Sequence, residues 1–281
     1  MDFATIERRV LAAEAGGFHS AWFMDHLAPP AARHHDCLEA WTLISAVAVR
    51  TSSIRLGHLV GCDPFRHPAV LAKMAATVDV ISGGRLELGL GWGSVEDELR
   101  SYGFGSQPAR ARAERLAETL EVIEALFTGE PVSYAGRYVE LVDAIARPRP
   151  IAGRVPVHLG GAGRTLTLPL VAKYADWWNC PSYAVERLDE LRPLAGPRVR
   201  VSAQHPVGLA PSRALRDDTV AQAQRRFGAW GGVIAGTPDE VAGALNAERA
   251  RGVELFVLQF SDFGTPETLD LFAREVMPAL A

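Results

Sequence analysis

The chain has 281 residues, 48% of them hydrophobic and 22% charged, with a net charge of −4 and a pI near 6.1. That balance excludes a disordered chain and offers no positive footprint for nucleic acid or an anionic membrane surface. No apolar run is long enough to span a bilayer and residues 1–20 lack a signal-peptide core; Cys37, Cys62 and Cys180 form neither a disulfide framework nor a zinc pattern, so a reduced, cytoplasmic setting is expected.

Residues 4–15 place Ile6, Val10 and Leu11 on one helical stripe, which Gly16-Gly17 stops. Ser20 to Met24 reads as a strand ending at Asp25-His26. A loop with Pro29-Pro30 and His34-His35-Asp36 follows, then a helix over 38–49, a strand over 54–60 and a helix over 68–80. The next strand covers 85–90. Residues 109–127 make the clearest helix, with Leu116, Leu120, Ile123 and Phe127 on one face. Segments 132–134 and 138–141 read as a hairpin inserted into the repeat. Strands over 155–159, 176–179, 199–203 and 255–260 alternate with helices near 164–174, 184–194, 216–227, 238–250 and 266–280.

Strand–helix alternation implies parallel strands with helical crossovers. The length favours an α/β TIM (β/α)8-type barrel, as a single domain over residues 1–281. Seven strands are counted where such a barrel needs eight. The first, which would precede the opening helix, is lacking or altered, or another segment closes the gap.

Two glycine clusters stand at strand-to-helix junctions: Leu88 to Ser94, and Val157 to Thr165. Glycine there allows positive φ and close approach of a ligand to the main chain, and a helix start aims open N–H groups at an anion. Both junctions are read as phosphate-holding turns; for the second, a tight connection remains the alternative. Asp25-His26 ends a strand on the face where barrels carry catalytic groups, and a capping aspartate beside a surface histidine is the competing reading. His34, His35 and Asp36 point in different directions with no further ligand spacing, so no metal site is expected.

The stretch from Phe65 to Arg85 resembles the bacterial luciferase-like monooxygenase superfamily, and within it the branch that uses the deazaflavin coenzyme F420. Gly17 to His26, Gly89-Leu90-Gly91 with Tyr102-Gly103, Pro156 to Gly163 with Ala175 to Asn179, and Gly252 to Phe260 with Val276 to Leu280 agree in the family's order. The family fold is a TIM barrel. The resemblance implies a reduced-flavin or F420 ring at the C-terminal ends of the strands, with its phosphate at Gly160, Gly161, Ala162, Gly163 and Arg164. It places Asp25 beside the coenzyme and His26 near the reacting centre. Gly61 and Cys62 mark the point where the family often carries a non-proline cis peptide, with Cys62 a packing residue rather than a nucleophile.

Gly91, Trp92, Gly93 and Ser94 fall at a coenzyme-binding loop but depart from the pattern. Trp92 stands where many relatives have a small residue, and Ser94 stands near where F420 enzymes can place a glutamate, so the usual acid is absent unless Glu96 or Asp97 takes the role. Trp177 is bulky where relatives commonly have glycine, Trp41 and Trp178 read as core aromatics, and Arg66-His67 as a helix-start and subunit-contact feature. The expected function is F420-dependent hydride transfer to or from a small organic substrate, in a homodimer. The alternatives are an FMN-dependent monooxygenase, or a non-catalytic flavin-binding or partner subunit. The last is motivated by the altered first strand, the two tryptophans and a short segment at 206–216.

Overall fold

Helix α1 (Phe3–Ala15) opens a computed structural model that describes residues 1–30 and 32–280, and Gly17, at φ +76°, turns the chain out of the helix. The chain falls into two compact units: Met1–Glu7, Ser20–Leu159 and Lys173–Ala175 in the first, and Arg8–His19, Gly160–Ala172 and Asp176–Ala281 in the second.

The first unit continues with β1 (Ser20–Phe23), α2 (Ala40–Ala48), β2 (Arg55–His58), β3 (Gly61–Cys62), α3 (Pro68–Ser82), β4 (Leu86–Gly91), α4 (Glu96–Ser101), α5 (Ala109–Leu126), the hairpin β5 (Val132–Ala135) and β6 (Glu140–Ala144), and β7 (Val157–Gly160, whose last residue belongs to the second unit). Its sheet is parallel in the order β1-β2-β4-β7, with β3 also joining β4. Leu56, Leu86, Leu88, Leu90 and Leu159 are buried in this sheet, and α2 and α3 contribute buried Trp41, Ile44, Leu71 and Ala75. Each of these leucines and Ile44 stabilises the unit by roughly 1.5–3 kcal/mol relative to exposure. A buried polar group also belongs to the sheet: Glu87 accepts from Arg55, and its other oxygen lies 2.7 Å from His158 Nε2.

The inserted hairpin is fastened to α5 by Glu114, Glu118 and Glu121. Glu118 accepts the N–H groups of Arg137, Tyr138 and Val139 at 2.8–3.0 Å, and a Cβ at Gly136 would come within 2.3 Å of its carboxylate.

The second unit contains α6 (Thr167–Tyr174, whose last two residues belong to the first unit), β8 (Trp177–Pro181), α7 (Leu188–Ala195), β9 (Arg200–Leu209), α8 (Arg216–Phe227), β10 (Ile234–Gly236), α9 (Pro238–Ala250), β11 (Leu255–Phe260) and α10 (Pro266–Leu271). The ten-residue β9 is its hub, pairing in parallel with β8, β10 and β11. Helix α9 starts at a capping box between Thr237 and Glu240, with Pro238 supplying a preset φ.

Three expectations change. Among the described residues no strand precedes α1, but Ile234–Gly236 adds a parallel strand, too short for periodicity to mark. Residues 206–209, part of the short segment at 206–216, extend β9 beyond the strand expected at 199–203. The final helix is α10 alone, continued by a π-helical turn at Phe272–Val276 and a 3₁₀ turn that starts beside Pro278. Among the described residues, no helix is long and apolar enough to cross a membrane.

Candidate active site

Asp25 stands just past the end of β1 and is only 2% exposed. A buried carboxylate needs partners, and Asp25 has three donors: Arg66 grips both oxygens at 2.5 and 3.0 Å, and the Cys62 N–H donates at 2.9 Å. The same guanidinium reaches Glu39, which caps α2 by accepting from Trp41 N and Thr42 N at 3.2 and 2.7 Å. Burial resists ionisation of Glu39, but Thr42, Arg66 and Trp41 together hold its carboxyl down at about 2. From α5, Arg115 and Thr119 bind the buried Asp63, and Arg115 also donates to the Arg66 carbonyl at 3.0 Å. Arg66, expected to serve a helix start and a subunit contact, is therefore the knot joining the end of β1, the start of α2 and the loop after β3. His67 does start a helix, accepting from Ala69 N at 3.3 Å as the cap of α3.

His26 is the next residue. Its Nδ1 lies 2.8 Å from Glu98 Oε2, while Glu98 Oε1 accepts from Leu27 N and Ala28 N at 2.7 and 3.2 Å. A carboxylate fixed by two backbone donors accepts from the ring, so Nδ1 carries the proton and Nε2 is left for a substrate. The imidazole is 22% exposed and the Glu98 side chain 8%. The ring is thus anchored at one nitrogen and, among the described residues, meets no hydrogen-bond partner at the other, the arrangement a general base or acid requires.

Glu96, expected as the acid, is placed apart from His26. Glu96 turns to Arg112 at 3.1 Å with more than half of its side chain exposed, and Glu98 meets His26. Glu96, Asp97 and Glu98 occupy the first turn of α4, where successive side chains diverge by about 100°. Three adjacent carboxylates gave no sequence signal for which one faces His26.

The first glycine cluster is also corrected as an anion junction. A Cβ at Gly89 would lie 1.8 Å from the His58 carbonyl oxygen, and one at Gly91 2.7 Å from Val60 Cγ2. Gly93 takes φ +80°, where a Cβ would press on Cys62 Sγ at 3.3 Å. These glycines admit neighbouring chain, and α4, six residues long with three acids in its first turn, repels an anion. The Leu59–Val60 peptide beside them is cis. Cys62 stays a thiol, pushed up to about 12 by burial and by Asp25, Asp63 and Glu98. Trp92 is half-buried and Ser94 exposed; His34, His35 and Asp36 are all exposed.

The glycines of the second cluster lie within the second unit. Gly161, at φ +122°, donates to the Asn179 carbonyl at 3.2 Å and accepts from Trp178 Nε1 at 2.8 Å. A Cβ on Gly163 would fall 2.9 Å from Thr167 Oγ1, filling the hollow in front of α6. Among the described residues, the N–H groups of Ala162, Gly163 and Arg164 meet no acceptor. Consecutive open donors at a helix start fit a phosphate group, whether of F420 or of FMN. Arg164 is turned aside onto Glu190. Trp177 is buried at the first position of β8 under the Arg200 guanidinium, 3.9 Å from the ring centre, so it packs the start of the strand. Trp41 and Trp178 are core residues, as expected.

Residues 1–268 match the family model described as luciferase-like monooxygenase. The F420-dependent glucose-6-phosphate dehydrogenase of Amycolatopsis mediterranei (strain U-32) is 38% identical over 58% of this chain and 47% of its own length. The chain spans about half the length of the curated relatives it matches. An F420-dependent secondary alcohol dehydrogenase in complex with an F420-acetone adduct aligns with a TM-score of 0.83 at 20% identity, over 100% of this chain and 96% of that one. The EDTA monooxygenase from Chelativorans sp. BNC1 aligns with a TM-score of 0.85 at 19% identity, over 99% and 86%. The fold class is thus α/β of the TIM-barrel type.

Proposed function

From the premise that this chain belongs to the luciferase-like monooxygenase family, we propose that it is an oxidoreductase that uses coenzyme F420 to move a hydride to or from a small organic substrate, such as an alcohol or its carbonyl product. The observation that carries the reading is the His26–Glu98 pair held beside the Asp25–Arg66 clamp. F420, when bound, supplies the hydride acceptor or donor. His26 Nε2 takes the substrate hydroxyl proton as hydride leaves carbon, or returns it in the reverse direction. Glu98 keeps the ring oriented and stabilises its charge when it gains that proton. Asp25 positions His26 through the backbone, with its oxygens committed to Arg66 and Cys62.

The Gly160–Arg164 turn takes the coenzyme phosphate on its open N–H groups. Gly61, Cys62 and the segment Gly91–Ser94, with Trp92 part-exposed, are assigned to the coenzyme ring. F420 is favoured over FMN because a curated relative at 38% identity bears an F420-dependent name. The wider proposal is one domain over residues 1–281, acting as a cytoplasmic homodimer.

Fluorescence titration of the protein with F420 and with FMN tests the coenzyme assignment. F420 binding at micromolar concentration or below, at least tenfold tighter than FMN, is expected, a difference of about 1.4 kcal/mol. Preference for FMN would instead place the chain with the monooxygenases.

A further inference from the structure

Arg164, assigned to the phosphate by its place after the glycine turn, donates to Glu190 instead. Glu190 is shared: Arg187 reaches it through Nε at 3.0 Å and Nη2 at 3.1 Å. Two guanidinium groups thus converge on one carboxylate, all three side chains about half exposed and within one unit, and Arg164 directly follows Ala162 and Gly163 in the chain. Arg187 and then Arg164 draw the Glu190 carboxyl below its ordinary value, so the cluster holds two positive charges and one negative. Each guanidinium has five N–H donors, and among the described residues neither arginine meets an acceptor other than Glu190. The cluster retains unsatisfied donors, a net positive charge and access to solvent.

We propose that Arg164 and Arg187 bind the carboxylate-bearing tail of the coenzyme, with Glu190 an internal stand-in that a ligand carboxylate displaces. This rests on the F420 reading above and deepens it. The glycine turn already offers main-chain donors for a phosphate, so a second cationic centre alongside calls for a second anionic group on the same ligand. FMN ends in its phosphate and has none, whereas the oligoglutamyl tail of F420 supplies several. Half-exposed partners suit a flexible chain running out to solvent.

The test is calorimetric titration of the full chain with F420 carrying its glutamates, with the same coenzyme lacking them, and with FMN, at low and high salt. Arg187→Ala should weaken the tailed coenzyme about 5–10-fold and the tail-less form less than about twofold. Glu190→Gln should tighten the tailed coenzyme about 3–5-fold by removing the competitor, and both effects should shrink at high salt. Arg164→Ala should weaken both forms. If Arg187→Ala and Glu190→Gln bind the tailed coenzyme as the unaltered protein does, the cluster is an ordinary surface ion pair and the inference is wrong. Unaltered protein that binds tailed and tail-less coenzyme equally also overturns it while leaving the F420 reading intact. Failure of the unaltered protein to bind either form overturns both.

Discussion

At the scale of residues, Asp25 and His26 divide two duties that the sequence presented as one motif. The Asp25 carboxylate is spent on Arg66 and the Cys62 N–H, whereas His26 keeps one nitrogen open because Glu98 occupies the other. The Asp-His pair was legible because it ended a recognisable strand and matched a family pattern. Glu98 was not, because three neighbouring acids look alike until the short helix α4 fixes their directions, and Arg66 looked peripheral because its partners Asp25 and Glu39 are distant in sequence. Glu98→Gln should lower the hydride-transfer rate about 10–100-fold, with coenzyme affinity changed less than about threefold, because the ring loses its orienting charge. Glu96→Gln should stay within about twofold, since Glu96 faces Arg112 and solvent. Single-turnover rates for the two variants check this, and the reverse order would restore Glu96 as the acid.

At the scale of elements, α2 is tied to the site by its cap. Glu39 holds the first N–H groups of α2 and the Arg66 guanidinium at once. Its carboxyl is depressed from 4.5 to about 2, so it stabilises the fold above its unfolded value and that stabilisation is lost as pH falls through about 4.5 towards about 2. With 38% of the side chain exposed, solvent screening reduces the contribution to about 1–2 kcal/mol. Urea unfolding across that range should show a shallower loss of stability in Glu39→Gln than in the unaltered chain; parallel curves would show that the cap is not linked to pH. Most elements were legible because their apolar periods are long. Exceptions were β10, three residues long, and the end of α10, where a π-helical turn leads into the 3₁₀ turn at Pro278. The glycines of β4 carried a real signal whose cause was misread, since close approach of the chain at His58 and Val60, rather than an anion, excludes a Cβ at Gly89 and Gly91.

For the whole molecule, the family match over residues 1–268 and the likeness to solved barrels agree with the strand–helix alternation in the sequence. A non-catalytic role loses one of its motives, because Trp177 packs under Arg200 at the start of β8. The central claim is hydride transfer supported by His26. Its most direct test is rapid mixing of the F420-loaded protein with a panel of small secondary alcohols, following loss of the oxidised deazaflavin absorbance in the unaltered chain and in His26→Gln. Alcohol-dependent loss that slows about 10²–10⁴-fold in the variant is the expected result. Equal rates in the two proteins, or no loss with any alcohol and no return with the matching ketones, would contradict it.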